Sequence, residues 1–463
     1  MLSLVAAVVM AQKDFKPIPP VPIRRQLAWS QLERYCFVHF GPNTFTGNEW
    51  GTGKEPTQVF NPKHLDCRQW CRAFKEAGFA GVIITAKHHD GFCLWPSKFS
   101  THTVAQSPWK NGKGDVLKEL SQACKDEGLK FGVYLSPWDR NHPTYGTPQY
   151  NDTFKSMLKE VLTHYGPVFE VWFDGANGEG PNGKKQVYDW PGFIGVVRKY
   201  QPNAVIFSDA GPDIRWVGNE GGYAGETNWA MIDKSKFSPG HADTDILNHG
   251  LENGPDWVPA ECDVSIRPGW FWRASEDSKV KSVQELMDIW YGSVGRGSNL
   301  LLNVPANADG LISEVDVTRL HELDRALSKE FAHPVPIVDA EALSPGGSGL
   351  EPARELIDDD DGTFWHDHTG KTASQLQFTF AEETTVDRIE LSEPIQMGQR
   401  IKKFIVHTAD RTNGYKTLVS GTTIGVRRIL KFPPTKVKEI WVEIQDSRGT
   451  PALSSVKFFN AGS

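Results

Sequence analysis

The sequence predicts an α/β chain: a (β/α)8-type barrel followed by an all-β antiparallel sandwich domain. Three observations carry this. Short β-branched or aromatic runs alternate with helical patterns through the first two-thirds of the chain. That texture stops near His333-Pro334-Val335-Pro336, and beyond it only alternating runs separated by turns remain. The 463 residues also exceed one ordinary core, since domains run to roughly 100–200 residues each. The expected division is 1–11 as a truncated signal peptide, 12–335 as the barrel and 336–463 as the sandwich.

In order, the runs Tyr35–Gly41, Gly81–Ala86, Lys130–Leu135, Glu170–Asp174, Ala204–Asp209 and Asn299–Val304 read as buried parallel strands, with Trp257–Ile266 weaker. Between and after them, apolar residues at helical spacing mark Cys67–Ala77, Asp115–Asp126, Tyr150–Tyr165, Gly192–Tyr200, Val283–Val294 and Val315–Phe331. Seven or eight such units fit a closed barrel with long βα loops. A doubly wound sheet is the alternative, weakened because no G-x-G-x-x-G follows the first strand. In the last part Leu376–Phe380, Val386–Leu391, Lys403–His407, Arg428–Phe432, Glu439–Gln445 and Ser455–Phe459 read as strands. Turns at Thr412-Asn413-Gly414 and Arg448-Gly449 separate some of them.

Fifty basic against 57 acidic side chains give a net charge of -7. With no basic cluster, nucleic acid and anionic membrane are poor partners. A mean hydropathy of -0.42 fits no membrane bundle. Sixteen Trp and 25 Phe beside only 10 Tyr offer flat apolar faces of the kind that pack on pyranose rings, although large cores use them too. The apolar start MLSLVAAVVMA is shorter than the ~20 residues a span needs. It ends in a small-residue site before Gln12, which suggests an exported, periplasmic or secreted protein. Six scattered Cys make no disulfide scaffold and no CxxC zinc pair, and are expected as buried free thiols.

Polar residues at the C-terminal ends of barrel strands face the mouth. Reading those ends gives His39-Phe40-Gly41 with Asn48-Glu49-Trp50, then Lys87-His88-His89-Asp90-Gly91-Phe92. Ser136-Pro137-Trp138-Asp139, Trp172-Phe173-Asp174-Gly175 and Ser208-Asp209 follow, and the loop after strand five carries Arg215-Trp216-Val217-Gly218-Asn219-Glu220. Metal hydrolysis fits poorly. His88 and His89 are adjacent, so a regular strand would point them to opposite faces, and no H-E-x-x-H occurs. Glycoside hydrolysis needs two carboxyls across the scissile bond. Asp174 closes an apolar strand before a Gly, which suits such a carboxylate and equally suits a helix cap.

This set of motifs, with Trp95 and Asn299-Leu300-Leu301-Leu302-Asn303, resembles glycoside hydrolase family 29, the retaining α-L-fucosidases, over about residues 24–333. The resemblance implies Asp174 as nucleophile, forming a covalent fucosyl-enzyme. It implies Glu220 as acid/base of the branch cleaving α-1,3/1,4-linked fucose in Lewis-type glycans, with Glu226 and Glu261 as rivals. His39, Glu49, Trp50, His88 and His89 resemble substrate contacts. Trp95, Trp138 and Trp272 would wall the sugar, and Arg267 would touch the sugar or leaving group. The expected substrates are fucosylated oligosaccharides or glycoconjugates, with no catalytic metal and no organic cofactor. The chemistry agrees: a neutral deoxysugar needs directional bonds to its hydroxyls and one apolar patch. Asp174 should sit among donors, and desolvation and the charge of Asp174 should raise Glu220.

The run Ile357-Asp358-Asp359-Asp360-Asp361-Gly362-Thr363-Phe364-Trp365 resembles the start of discoidin-like, galactose-binding-like modules. A carbohydrate-binding role, or a structural Ca²⁺ on Asp359, Asp361 and Thr363, competes with Trp365 packing in the core over a solvated turn. For sugar binding the core reading is preferred. Two rival functions stand beside the selective hydrolase: a broad-specificity α-L-fucosidase and a fucose-binding lectin with an inactive barrel. Oligomeric state is not legible.

Overall fold

The computed structural model describes residues 15–241, 243–343, 349–360, 362–410 and 414–462. The apolar segment 1–11, Asp361 and the Thr412-Asn413 turn lie outside the described residues.

Eight parallel strands close a barrel: β1 Arg34–Val38, β2 Gly81–Lys87, β3 Lys130–Leu135, β4 Glu170–Trp172, β5 Val205–Ser208, β6 Ile214–Trp216, β7 Ala260–Ser265 and β8 Asn299–Asn303. Each pairs with its chain neighbours, and β1 closes the ring against both β2 and β8. The helices α1 Arg24–Ser30, α2 Cys67–Glu76, α3 Val116–Glu127, α4 Pro148–His164, α5 Trp190–Tyr200, α6 Thr244–His249, α7 Val283–Ser293 and α8 Glu314–Phe331 complete this unit. Local chemistry sets several of their ends. Asp66, Asp115 and Asp189 accept backbone N–H bonds as N-caps, Ser282 and Glu285 form a capping box, and Gly128 ends α3 in the left-handed region.

Strand residues facing the axis form a separate inner core of Tyr35, Phe37, Ile83, Tyr134, Trp172, Val205, Phe207, Ile214 and Leu301, with Trp29 of α1 packed among them. Side chains facing outward join the larger core between strands and helices, which includes Trp70, Trp95, Phe154 and Leu302. All six cysteines are buried and unbonded.

One strand departs from the sequence reading. Ile214–Trp216, read above as loop, is β6. Only residues 209–213 separate it from β5, with no helix between, so the strand–helix alternation gives no signal there. Asp213 fixes this link. Its carboxylate accepts from Arg25 at 3.0 Å, from Ile206 N–H at 2.8 Å and from Arg198.

The second domain is built on a seven-stranded antiparallel sheet, β9 Ile337–Leu343, β10 Leu350–Pro352, β11 Ser374–Ser392, β12 Ile401–Asp410, β13 Gly414–Gly421, β14 Arg428–Ser447 and β15 Ser455–Phe459, beside which Trp365–His366 and Ala452–Leu453 pair as a separate two-stranded sheet. The runs read as four separate strands at Leu376–Phe380, Val386–Leu391, Arg428–Phe432 and Glu439–Gln445 are halves of just two, β11 and β14. Register shifts at Thr379/Thr384 and Val386/Arg388 bend the pair, and such bulges break the sequence alternation without ending the strand. Both halves feed one core with Phe378, Ile389, Phe404, Ile440 and Phe458, and Trp365 is buried in it. In the Asp-rich turn, Asp358 accepts from Asp360 N–H and the Thr363 hydroxyl, and Asp360 from Gly362 N–H. Among the described residues these carboxylates tie the turn, and no three His, Cys, Asp or Glu side chains could hold a metal. No described helix is long and apolar enough to cross a membrane.

The two domains share an interface in which Arg388 pairs with Glu330 at 3.2 Å and Arg427 with Glu33 at 2.6 Å. In the barrel, Phe207 stacks on Trp172 at 3.9 Å and 10° and is wholly buried. Phe207→Ala is expected to cost about 3–5 kcal/mol, read as a lower midpoint of denaturant unfolding; an unchanged midpoint would contradict this packing.

Candidate active site

Period-two alternation determines which strand-end residues reach the mouth. Continuing the inward column of seven of the eight strands leads from Phe37 to His39, Tyr134 to Ser136, Trp172 to Asp174, Phe207 to Asp209, Ile214 to Trp216, Glu261 to Asp263 and Leu301 to Asn303; in β2 a bulge between Thr85 and Lys87 breaks the alternation. These residues converge. Trp172, Asp174, Asp209, Trp216, Glu220 and Asp263 line a cavity of about 400 Å³, with Lys185 and His241 on the same wall. Gly175 is required beside Asp174, because a Cβ there would meet Asp209 Oδ2 at 2.2 Å.

Asp174 is held by donors. Tyr134 Oη donates to Oδ2 at 2.9 Å and Ala176 N–H to Oδ1 at 2.8 Å. His89 Nε2 lies 3.7 Å from Oδ2.

The strand-two motif resolves into separate jobs. Lys87 turns outward to Asp139 at 3.3 Å and the Tyr150 hydroxyl. The strand ends there, so His88 and His89 no longer alternate, and their rings lie side by side with centroids 4.2 Å apart. Asp90 caps the turn by accepting from Phe92 N–H at 2.7 Å, and burial lifts its carboxyl to about 7. Gly91 adopts a φ of +80°, with Asp139 Oδ1 only 2.3 Å from where a Cβ would be.

Hydrogen-bond accounting assigns the imidazole tautomers. Asn303 Nδ2 donates to Ser265 Oγ and Trp270 O, so its Oδ1 is the acceptor facing His39 Nδ1 at 2.8 Å. His39 therefore carries Nδ1–H and keeps Nε2 as an acceptor. Ser136 Oγ donates to Trp138 O at 2.9 Å, leaving it to accept from His89 Nδ1–H at 2.7 Å. Burial pushes His39 down to about 3 and His89 down to about 4, and lowers His88 as well, so all three rings are neutral near pH 7. His88 stacks on Tyr134, and its buried Nδ1 has no protein partner.

Glu220 stands on the loop after β6 and meets solvent at the rim, with Trp270 Nε1 donating to it at 3.3 Å. Crowding by protein raises its pKa and Asp174 and Glu49 raise it further, against the lowering effect of the Trp270 bond. Asp263, beneath it, is nearly inaccessible and raised well above the carboxylate range by burial and by the charges of Glu220 and Glu261. Trp216 Nε1 donates to Asp263 at 2.8 Å. Burial lifts Asp209 to about 6, with Asp174 adding to it. The mouth thus gathers carboxyls in unlike surroundings beside neutral rings and indoles.

Not every expected residue arrives. Trp50, which is exposed, and Trp138, which is buried, meet edge-on at 5.7 Å beside His89. Trp95 does not: it is buried in the outer core and donates to Glu160 of α4 at 3.0 Å. Arg267 is also corrected, being buried and paired with Asp316 and Asp277 at 2.9 Å each. Trp272 lies under that guanidinium, 6.0 Å away, rather than against the cavity. Glu49 reaches the site through a neighbour, accepting from Trp270 N–H and pairing with Arg273. Of the two rivals to Glu220, Glu261 is buried below the cavity, bonded to Tyr35 and to Trp172 Nε1 at 2.8 Å, and Glu226 is exposed and pairs with Arg296 at 3.5 Å. Sequence reading placed Trp172, Trp216 and Asn303 in its motifs but gave them no role, and missed Tyr134, Trp270 and Asp263 as site residues. For all but Trp270, extending the inward column would have found them.

The tautomer assignment predicts that His39 and His89 show Nδ1–H forms by ¹⁵N NMR and do not titrate between pH 5 and 8. A titration near the ordinary His value of ~6.5 would contradict it.

The alpha-L-fucosidase family model matches residues 28–330, and the F5/8 type C domain model matches 339–456. Alpha-L-fucosidase 1 of Arabidopsis thaliana is 43% identical over 444 residues, covering 95% of this chain and 87% of that protein. The crystal structure of SpGH29 superposes with a TM-score of 0.92 at 37% identity, covering 97% of this chain and 100% of that one. A Ruminococcus gnavus GH29 fucosidase in complex with fucose superposes with a TM-score of 0.85 at 30% identity, over 96% of each chain. The chain therefore belongs to glycoside hydrolase family 29 and is an α-L-fucosidase with a C-terminal F5/8 type C domain.

Proposed function

We propose that this α-L-fucosidase retains anomeric configuration through a covalent fucosyl-aspartate on Asp174, with Glu220 as acid/base. The observation that carries the reading is the unlike pair of carboxyls on one cavity. Asp174 accepts two directed hydrogen bonds, while the pKa of Glu220 on the facing loop is raised. In the first step Asp174 attacks the anomeric carbon as the glycosidic C–O bond breaks, and Glu220 gives its proton to the departing oxygen. In the second step water attacks the same carbon. Glu220 takes a water proton, and the bond from the anomeric carbon to the Asp174 oxygen breaks, releasing fucose and restoring the carboxylate. Esterification removes the Asp174 charge that helps to raise Glu220, so its pKa falls when it must act as base. Asp174, Glu220 and water account for every bond and proton.

Neutral His39, His88 and His89 supply directional partners for the sugar hydroxyls, and the unmet Nδ1 of His88 suits a bound hydroxyl. Trp172 and Trp216 supply apolar surface. We further infer selectivity for α-1,3/1,4-linked fucose of Lewis-type glycans. Its supports are the placement of Glu220 in the Trp216-Val217-Gly218-Asn219-Glu220 segment and the exposed ring of Trp50, which can pack a neighbouring sugar.

Asp174→Ala is expected to lower kcat about a thousandfold or more with the fold retained; ordinary activity would remove the nucleophile assignment. Since the acid must be protonated, kcat/KM should fall as pH rises through the raised pKa of Glu220. Glu220→Gln should abolish that alkaline limb, and a persisting limb would point to another group. Proton NMR of a Lewis-type trisaccharide and its 2-linked isomer tests the rest. Initial release of α-L-fucose from the Lewis substrate alone is expected. Initial β-L-fucose would mean inversion, and equal cleavage of both would discard the selectivity.

A further inference from the structure

We propose that the F5/8 type C domain positions Glu220: Gln399, Thr423 and Arg428 grip the return limb of its loop and hold the acid/base carboxyl in place. This rests on the role given to Glu220 above. The loop leaves β6 tied to the barrel, with Val217 N–H donating to Glu261 O at 3.0 Å and Asn248 Nδ2 to Val217 O at 3.2 Å. The turn bearing Glu220 then closes on itself. Asn219 Oδ1 accepts from Gly221 N–H at 3.0 Å, and Asn219 Nδ2 donates to Tyr223 O at 2.8 Å.

The return limb crosses to the other domain after bonds at Ala224 to Gly292 O and Arg296. Glu226 O accepts from Arg428 Nη1 at 2.9 Å and from Thr422 Oγ1 at 3.1 Å. Asn228 N–H donates to Thr423 Oγ1 at 2.8 Å. Gln399 takes the next two groups, donating to Asn228 O at 2.9 Å and accepting from Ala230 N–H at 2.8 Å. Partners for the backbone at alternate residues 226, 228 and 230 thus come from side chains of the second domain, all three gripping residues being buried. Without them, backbone groups enclosed between the domains would lose their hydrogen bonds.

Behind the loop lies an open groove of about 570 Å³, bordered by Gly218, Tyr223, Glu226, Asn248 and Arg296. The Glu220 turn has the cavity on one side and this groove on the other; Asn248 Nδ2 also donates to Tyr223 O at 2.9 Å and Gly222 lies against Val264 and Ile289, so the second-domain grip adds to barrel contacts in setting its position. A general acid must stay within hydrogen-bond reach of the leaving oxygen, so slack in one limb acts on protonation more than on nucleophilic attack.

The test uses the full chain carrying Thr423→Val and Gln399→Leu, beside Glu220→Ala, with an alkyl α-L-fucoside and a 4-nitrophenyl α-L-fucoside. The alkyl leaving group needs a proton and the nitrophenolate does not. The double variant should lose about tenfold in kcat/KM, which reports the first step, on the alkyl substrate and less than twofold on the nitrophenyl one. The isosteric single variant Thr423→Val should show the same split in smaller measure, and Thr423→Ser should restore the alkyl rate. Thermal midpoints report whether the fold is kept, and the single variant serves if the double fails to fold. Equal losses on both substrates, or none, while Glu220→Ala shows the split would overturn the grip and leave the acid/base standing. Absence of the split in Glu220→Ala would overturn both.

Discussion

A closed ring of eight parallel strands allows every second side chain only one direction, toward the axis, and the site follows from that constraint. The inward columns stack aromatic and aliphatic residues low in the barrel and end in polar ones at the top, as in Phe37 before His39 and Trp172 before Asp174. A column cannot deliver a polar end to the mouth unless the residues beneath it pack. Phe207 against Trp172 is such a support, directly under the strand end that presents Asp174.

The same enclosure sorts the charges. Glu170 and Glu261 are both wholly buried and raised, chiefly by desolvation. The charge of Glu261 raises Glu170 further, and Tyr35, Trp29 and Trp172 donate to the pair. Asp263 continues this column of carboxyls toward the mouth and is also raised. Asp174 differs in having its own donors, and Glu220 in being reachable by solvent on a loop held at both ends. Two carboxyls can share one cavity and still take the opposite tasks proposed for them because their surroundings, not their residue types, differ.

The alternation of apolar runs and helical patterns made the barrel legible, and the motif ends picked out Asp174, Glu220 and the three His as candidates. What escaped reading has physical causes. β6 is three residues long and follows β5 without a helix, so no periodic signal exists. Bulges in β11 and β14 interrupt alternation inside continuous strands. Trp95 and Arg267 carry the residue types of a sugar site, but one donates to a buried Glu160 and the other answers a buried Asp316. Neither partner is adjacent in sequence, so composition could not tell them from Trp172 or Trp216. The grip of the second domain on residues 226–230 joins positions nearly 200 residues apart and is equally invisible to a linear reading.

The account depends most on Asp174 forming a bond to the sugar. A 2-deoxy-2-fluoro-fucosyl fluoride tests this directly. The ring fluorine slows both steps by destabilising cationic character, while the good leaving group keeps the first step the faster one. Intact mass followed by peptide mapping should find one added fluorofucosyl group, on the peptide containing Trp172-Phe173-Asp174-Gly175. An enzyme that turns over fucosides but gains no mass, or carries the sugar on another carboxyl, would contradict the central claim.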